Sequence, residues 1–189
     1  MRRMSTTEIR LVLPAWIDDE VDRSERYTDD ASRVGLAIRL ARRNIEERTG
    51  GPFGAAIYDD SGRLVSAAVN IVLPQNCSAA HAEIMAFAAA QASMGRARLN
   101  EDGKRYILAT SAQPCTMCYG ASIWAGIDEI LIGARAEDVM ELSAFDEGPL
   151  PADWIGELAK RGINVRRDIL REEARAVFEL YSRTDGRIY

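Results

Sequence analysis

The sequence predicts a three-layer α/β/α sandwich built on a mixed, five-stranded sheet. Two apolar runs joined by a short polar turn predict an early β-hairpin, and the residues that follow alternate between strand-like and helix-like segments. Strands connected through helices run parallel with a right-handed crossover, whereas a hairpin is antiparallel, so the sheet is expected to be mixed. A chain of 189 residues is long enough for one buried core.

One domain is therefore expected. Residues 1–28 are polar apart from Leu11–Ile17, and we predict that they pack as an N-terminal extension. Residues 29–189 are predicted to form the domain that carries the function.

The domain is predicted to open with an amphipathic helix between Asp29 and about Arg48. Apolar residues recur there at helical spacing, and Gly50 and Gly51 provide a stop signal. The stretch FGAAIYDDSGRLVSAAVNIV follows and predicts the hairpin, with its turn at residues 60–62.

The rest of the chain alternates in type. HAEIMAFAAAQASM is rich in Ala and Met without a helix breaker and predicts a buried helix, and YILATS predicts a short strand. PADWIGELAKRG has Pro near its start and Gly at its end, which is typical of a helix. The remaining predictions are a helix at CTMCYGASIWAG, a strand at EILIGA, a helix at AEDVMEL, a last strand at INVRRDI and a last helix at REEARAVFELYSR.

The charge and the cysteine content disfavour several classes of protein. With 24 basic and 29 acidic residues the net charge is −5, which disfavours a nucleic-acid partner. The apolar run Leu11–Ile17 is too short to span a bilayer, so we expect no membrane partner and a cytoplasmic location. Three cysteines do not make a disulfide framework, and a reducing compartment favours metal or catalytic roles for them.

The strongest functional signal is one histidine with two cysteines. His81 lies at one predicted helix start, and Cys115 and Cys118 open the next predicted helix. The three-residue spacing puts both sulfurs on one helix face, and a helix N-terminus favours thiolates. Catalytic zinc sites commonly use three such ligands and leave the fourth position to water. The pattern predicts such a site, with Glu83 as the base that takes a proton from the zinc-bound water.

Two other interpretations of the cysteines stay open at this point. Cys77, four residues before His81, would complete a closed structural Cys3His zinc site. A C-x-x-C pair alone also suits a redox centre, although such a centre has no use for Glu83 two residues after the histidine.

The two motifs resemble a known superfamily. His81–Glu83 and Pro114–Cys118 form the H-x-E…P-C-x-x-C pattern of zinc-dependent base deaminases, and the sequence resembles the cytidine deaminase superfamily from about Pro52 to Ile132. The stretches GGPFGAAIYDDSGRLVSAAVN, CSAAHAE, PCTMCYGASIWAG and FDEGP are similar to the bacterial guanine deaminase branch, over most of the chain from Val34 onward. The resemblance implies a cytidine deaminase-like fold.

The resemblance also implies roles for individual residues. Glu147, in FDEGP, would be a second catalytic carboxylate that binds the ring edge and assists the departure of ammonia. The implied substrate-binding residues are Asn70, Phe53, Ala82, Trp124 and Tyr189. Tyr189 would lie on a tail that closes over the pocket of its own or a partner subunit. Gln113 departs from the family, which usually has Glu before the Pro-Cys pair, and this change leaves the identity of the ring open.

The activity so implied is hydrolysis of guanine to xanthine and ammonia, with one Zn²⁺ per subunit in a homodimer. The alternatives are deamination of another aminated heterocycle (an aminotriazine such as ammeline, a pterin or guanosine) and tRNA adenosine deamination. A zinc-stapled interaction domain is the alternative without catalysis.

Overall fold

A computed structural model describes residues 9–184 and 186–189, so the first eight residues of the predicted N-terminal extension lie outside the described part. Five strands form one sheet in the order β2-β1-β3-β4-β5. Their bounds are β1 (Gly54–Asp59), β2 (Leu64–Val69), β3 (Tyr106–Ala112), β4 (Glu129–Ala134) and β5 (Asn164–Arg166). β1 is antiparallel to β2 and β3, while β4 is parallel to both β3 and β5. The predicted mixed sheet is confirmed.

The helices are α1 (Ile17–Glu20), α2 (Asp30–Glu46), α3 (Val72–Gln75), α4 (Ala82–Met94), α5 (Thr116–Ala125), α6 (Ala136–Leu142), α7 (Trp154–Ala159) and α8 (Arg171–Ser182). The six predicted helices occur in the predicted order, and the short helices α1 and α3 are additional. Within the described residues, no helix combines the length and the apolar character that crossing a bilayer requires.

Helices cover both faces of the sheet. Ser66 of β2 pairs with Ile57 of β1 and donates its hydroxyl to the carbonyl oxygen of Ala86 in α4 at 2.8 Å, so this face packs against α4. Gly54 points to the opposite face, because side chains alternate along a strand. A Cβ on Gly54 would collide with the backbone of α2 at Ala37, so α2 packs directly on the sheet there. The architecture is the predicted three-layer sandwich.

The hairpin turn lies where the sequence places it. The Asp59 side chain accepts hydrogen bonds from the backbone N–H groups of Ser61 at 3.0 Å and Arg63 at 3.1 Å. Gly62 has a φ of +79°, in the left-handed region that favours glycine. These contacts join β1 to β2 at the end of the hairpin opposite to Phe53 and Asn70.

Two predicted elements are shorter than expected. α7 begins at Trp154, because the Asp153 side chain accepts the backbone N–H of Gly156 at 3.0 Å and caps the helix after the proline. The last strand ends at Arg166, two residues before a left-handed backbone at Asp168.

Some short elements were not predicted. α1, α3 and a 3₁₀ turn at Leu99–Asp102 have four residues each, too few for a helical period to show. Ile17 and Tyr27, both within residues 1–28, are buried in the same hydrophobic core as the sheet.

Candidate active site

Two helices begin side by side at the site. His81 is the N-cap of α4 and Cys115 is the N-cap of α5, and neither side chain caps its own helix. The His81 Nδ1 atom instead lies 3.5 Å from the Cys115 Sγ atom. Both helix N-termini carry partial positive charge, which stabilises anionic groups placed there.

The three predicted zinc ligands come together. Cys118 lies one turn into α5, and the candidate ligand atoms of His81, Cys115 and Cys118 all lie within 4.8 Å of one another. Zinc bonds of about 2.0–2.1 Å to nitrogen and about 2.3 Å to sulfur, at a tetrahedral angle, place the two ligand atoms roughly 3.5 Å apart. That separation matches the one between His81 and Cys115. The donor set and its spacing therefore fit zinc with a fourth position left open.

The cluster also has the electrostatics of a cation site. Hydrogen bonds from the Cys118 thiol and from His81 lower the pKa of Cys115 to about 4, although burial acts in the opposite direction. The hydrogen bond between the Cys115 and Cys118 sulfurs, together with burial, raises the pKa of Cys118. A cation bound between the two sulfurs would favour the thiolate form of both cysteines.

Glu83 lies on the first turn of α4, next to the ligands. Its side chain is only 6% exposed. Burial and the neighbouring Cys115 thiolate raise its pKa to about 7, while His81 opposes the shift. A carboxyl group that titrates near neutrality is suited to accept and return a proton.

Glu147 brings a second carboxyl group from the loop after α6. It is 9% exposed, and burial, with the charges of Cys115 and Glu83 adding, raises its pKa to about 8. Thr116, the first residue of α5, donates its backbone N–H to the Glu147 carbonyl oxygen at 3.0 Å. The Thr116 hydroxyl donates to the Pro149 carbonyl oxygen at 2.6 Å. The Glu147 loop is therefore attached to the start of the helix that carries both cysteines.

Two of the candidate ligands and both carboxyl groups line one small cavity of about 30 Å³, while Cys118 is not part of its lining. The cavity has room for one or two water molecules and not for a heterocyclic ring. Its lining consists of Phe53, His81, Glu83, Gln113, Cys115, Phe145, Asp146, Glu147 and Tyr189.

The C-terminal tail closes this cavity. The Tyr189 ring packs edge-on against Phe145 at a centroid distance of 5.1 Å, and Phe53 packs edge-on against the same ring at 5.1 Å. A Cβ atom on Gly51 would collide with the Tyr189 hydroxyl. The tail therefore packs directly on the backbone just before β1. A ring-sized ligand needs Tyr189 to move before it can enter.

Asn70 has an unused hydrogen-bond donor near the end of β2. Its Oδ1 atom accepts the backbone N–H of Val72 at 3.2 Å, while its Nδ2 atom is buried with no partner in the described residues. Buried donors are rarely left without an acceptor, and the cost of leaving one unpaired is about 1–3 kcal/mol. A ligand that supplies an acceptor would remove that cost.

Comparison with known proteins shows the family and the fold of this chain. The family described as the cytidine and deoxycytidylate deaminase zinc-binding region matches residues 28–134. The match includes His81, Glu83, Cys115 and Cys118. The chain belongs to this deaminase family.

Several members of the deaminase family are similar to this chain. The guanine deaminase of Bacillus subtilis is 36% identical over 111 residues, which cover 59% of this chain and 67% of that protein. The guanine deaminase of Nitrosomonas europaea has a solved structure that is 39% identical, with a TM-score of 0.89 and coverage of 96% of this chain and 100% of that one. Structures of that protein also exist in complex with 8-azaguanine and with 2,6-diaminopurine. The tRNA-specific adenosine deaminase of Bacillus subtilis is 30% identical over 57% of this chain and 63% of that protein.

Not every residue predicted for this deaminase site lines its cavity. Trp124 is 78% exposed, so the expectation that it lines the ring pocket of its own chain is not met. Its position on the helix explains this exposure. The buried face of α5 carries Cys118, Ser122 and Ala125, and Trp124 lies outside that face. Ala82 is buried in the hydrophobic core, and its methyl group is not part of the cavity lining.

The structure also bears on the alternatives for the cysteines. Among the described residues, Cys77 is not part of the ligand cluster, so a closed Cys3His site is not formed. Gln113, Phe145 and Asp146 line the cavity but were not predicted as site residues. Gln113 lies close to Cys115 in the sequence, and Phe145 and Asp146 lie directly before Glu147. This closeness to predicted site residues could have indicated that they line the cavity.

Proposed function

We propose that this protein is a zinc-dependent hydrolytic deaminase that converts guanine and water to xanthine and ammonia. One observation carries the proposal. Two buried carboxyl groups, Glu83 and Glu147, line the same cavity as the His81 and Cys115 ligand atoms, in a chain that matches a guanine deaminase over nearly its whole length.

The metal part of the proposal assigns one Zn²⁺ per subunit to His81, Cys115 and Cys118, whose donor atoms and spacing support it. When bound, zinc lowers the pKa of a coordinated water toward neutrality and so supplies a nucleophile at physiological pH.

Glu83 is the proposed proton carrier. Water adds to the ring carbon that bears the amino group, and Glu83 takes a proton from that water and delivers it to the adjacent ring nitrogen. Burial holds its pKa near neutrality, so both its carboxylate and its carboxylic acid form are accessible at physiological pH. Glu83 stays outside the ligand set, which leaves its oxygens available for this transfer.

Glu147 is proposed to hold the amidine edge of the ring and to assist release of the amino group. Its raised pKa means that it enters the reaction as a carboxylic acid able to donate a hydrogen bond or a proton. Glu147 gives a proton to the amino group, the carbon–nitrogen bond breaks with its electron pair going to nitrogen, and ammonia leaves. The proton of the added hydroxyl group returns through the carboxyl groups to Glu147, which leaves a carbonyl on the ring. Asn70 is not among the residues that line the closed cavity, and its unpaired Nδ2 hydrogen is proposed to reach an acceptor on the ring when the cavity opens for the substrate.

The aromatic side chains supply the walls of the ring site. Phe53 lies in the cavity lining, and Tyr189 closes the cavity after the substrate has entered. A closed cavity excludes bulk water and strengthens the charge interactions of the two carboxyl groups.

Assembly and location complete the proposal. Met117 and Trp124 leave apolar side chains exposed on α5, which supports a homodimer through this helix. We propose a cytoplasmic location, since a reducing compartment keeps the two ligand cysteines as thiols. Light scattering tests the dimer, and elemental analysis tests one zinc per subunit.

The activity is tested by measuring ammonia release from a panel of compounds with zinc-loaded protein. We expect guanine to be turned over with the highest kcat/KM. Faster turnover of ammeline, a pterin or guanosine would assign the site to that ring, and inosine formation in a tRNA anticodon stem-loop would assign it to RNA. Release from none of them, with zinc bound, would favour an interaction domain.

A further inference from the structure

Asn44, near the end of α2, is a polar residue on the buried face of that helix and has no part in the mechanism above. It is fully buried. Its Nδ2 atom donates to two main-chain carbonyl oxygens, that of Gly51 at 2.8 Å and that of Asn70 at 2.9 Å. Gly51 lies just before β1 and Asn70 directly after β2. Asn44 therefore ties the open end of the hairpin to α2.

The partners of the Asn44 amide determine its orientation. The Thr49 hydroxyl donates to the Asn44 Oδ1 atom at 2.7 Å, on the side away from the two carbonyl oxygens. The Trp16 indole N–H in turn donates to the Thr49 hydroxyl at 3.1 Å. Only the NH2 group of an amide has two hydrogens and can serve two carbonyl acceptors. A buried polar network in which every member is paired is rigid.

The contact between Asn44 and Asn70 needs a close approach of the backbone. A Cβ atom on Gly50 would collide with the Asn70 carbonyl oxygen and with the Asn44 Nδ2 atom. A glycine is the residue that leaves room for such an approach. The chain between α2 and β1 is thus shaped around the Asn44 amide.

Asn70 is held at three of its four hydrogen-bonding groups. Its backbone N–H donates to the Phe53 carbonyl oxygen at 3.1 Å, and its carbonyl oxygen accepts from Asn44. Its Oδ1 atom accepts the backbone N–H of Val72 at 3.2 Å. The buried Nδ2 atom alone has no partner among the described residues, so the contacts of Asn70 leave one donor free for a ligand.

The hydrogen bonds around Asn44 form a closed circuit. The Gly51 carbonyl oxygen accepts from Asn44 and also from the Phe53 backbone N–H at 2.8 Å, while Phe53 accepts from Asn70 and Asn70 accepts from Asn44. Asn70 cannot shift relative to Phe53, which lines the catalytic cavity, without breaking one of these bonds. Asn44 itself does not line that cavity.

We propose that Asn44 is a positioning residue for the deamination, which holds Asn70 where its free Nδ2 donor reaches the substrate. The inference rests on the proposed function, because it takes Asn70 to bind the ring. It assigns a role in the reaction to α2, a helix that carries none of the metal ligands and neither of the two catalytic carboxyl groups.

The test is a double-mutant cycle on Asn44 and Asn70, measured as kcat/KM for guanine with zinc-loaded protein. Asn44→Ala removes the donor and should lower kcat/KM about tenfold when Asn70 is present. In the Asn70→Ala background the same substitution should change kcat/KM by less than about twofold, because the group that Asn44 positions is already gone. A residue that serves stability alone would cause the same loss in both backgrounds.

Ser66→Ala is the matched control. Ser66 is buried in β2 and, like Asn44, donates to a main-chain carbonyl oxygen, that of Ala86 at 2.8 Å. It lies outside the cavity lining. Its loss should lower the midpoint of thermal unfolding, as in Asn44→Ala, but leave kcat/KM within about twofold of the unmodified value.

Thr49→Val is a milder variant that keeps the test decisive if Asn44→Ala does not fold. It keeps the shape of the side chain but removes the hydroxyl that orients the Asn44 amide. It should lower kcat/KM about threefold with Asn70 present, and by less than about 1.5-fold in the Asn70→Ala background.

Two results would overturn the inference. One is kcat/KM within about twofold of the unmodified value in folded Asn44→Ala, and the other is an equal loss with and without the Asn70 amide. For Thr49→Val, no loss or an equal loss has the same meaning. The proposed function fails differently, when unmodified protein releases no ammonia from guanine. The cycle is then run on the ring that is turned over fastest, and turnover of no ring overturns both proposals.

Discussion

Thr116 and Glu147 are joined by a backbone hydrogen bond of 3.0 Å, which links the first residue of the cysteine-bearing helix to the loop that carries the second carboxyl group. Thr116 directly follows Cys115 in the chain. The positions of the candidate metal ligands and of Glu147 are therefore coupled through one residue that is neither a candidate ligand nor part of the cavity lining.

Removing the Thr116 hydroxyl should loosen this coupling. Thr116→Val keeps the shape and the backbone bond but loses the donor to the Pro149 carbonyl oxygen. We expect kcat for guanine to fall about five- to tenfold, equivalent to about 1 kcal/mol, with zinc content unchanged. Thr116→Ser restores the donor and should restore kcat. Equal kcat values in the valine variant and the unmodified protein would show that the hydroxyl does not position Glu147.

The unpaired amide of Asn70 should matter mainly for substrate binding. Asn70→Ala removes the donor, and kcat/KM should fall about ten- to hundredfold, in line with the loss of one buried hydrogen bond. Asn70→Asp keeps an acceptor for the Val72 N–H but lacks the amide donor. Steady-state kinetics should find both variants impaired. Near-normal activity in Asn70→Asp would assign Asn70 a structural role only.

Metal removal should abolish activity and lower stability. In Cys115→Ser the zinc content should fall well below one per subunit, and the midpoint of thermal unfolding should decrease because a ligand bound only by the folded state is lost. Cys77→Ala is the control, since Cys77 lies outside the ligand cluster. It should keep both zinc and turnover. Zinc loss in Cys77→Ala would instead support a closed, structural site.

A buried ion-pair network should contribute to the free energy of unfolding at neutral pH and lose this contribution in acid. Asp138 is 1% exposed and accepts hydrogen bonds from Arg171 at 2.7 Å, and it also pairs with Arg175. The hydrogen bonds from Arg171 outweigh burial and hold the pKa of Asp138 below its usual value. Because the pKa of Asp138 is lower in the folded state, the network contributes its full stabilisation at pH values above the unfolded-state pKa of about 3.9. This stabilisation is lost progressively as the pH falls below that value.

The matching variant is Asp138→Asn, measured by urea denaturation at pH 7 and at pH 3. It should lower the free energy of unfolding by about 2–3 kcal/mol at pH 7, because it leaves two arginines partly buried without their partner, and by less at pH 3. Asp18→Asn breaks the exposed pair with Arg23 and should change stability by less than about 1 kcal/mol. The network account fails if both variants cost the same at pH 7.

The sequence predicted those parts of the site that are local in the chain. His81 with Glu83, and Cys115 with Cys118, lie at helix starts, where the spacing itself determines which atoms face the same point. The alternation of strands and helices likewise determined the sheet class. Both inferences depend on short-range periodicity, which a single sequence records directly.

Contacts between distant segments were harder to predict. Trp124 was assigned to the ring pocket by resemblance, although its phase on α5 turns it away from the buried face. Phe145 lines the cavity because it packs against Phe53 and Tyr189. These contacts join residues that are far apart in the sequence, so no local pattern encodes them. A larger cavity of about 680 Å³, lined by Arg48, Leu73 and Tyr181 among others, is formed by three separate segments of the chain and had no sequence signal.

Glu83 is the proposed proton carrier at a zinc site that acts on guanine. The most direct test of this role is a paired measurement of zinc content and ammonia release for the unmodified protein and for Glu83→Gln. We predict that both bind zinc equally, and that the variant loses at least about 10³-fold of the guanine turnover seen with the unmodified protein. Equal turnover by the two proteins, at equal zinc content, would contradict the account.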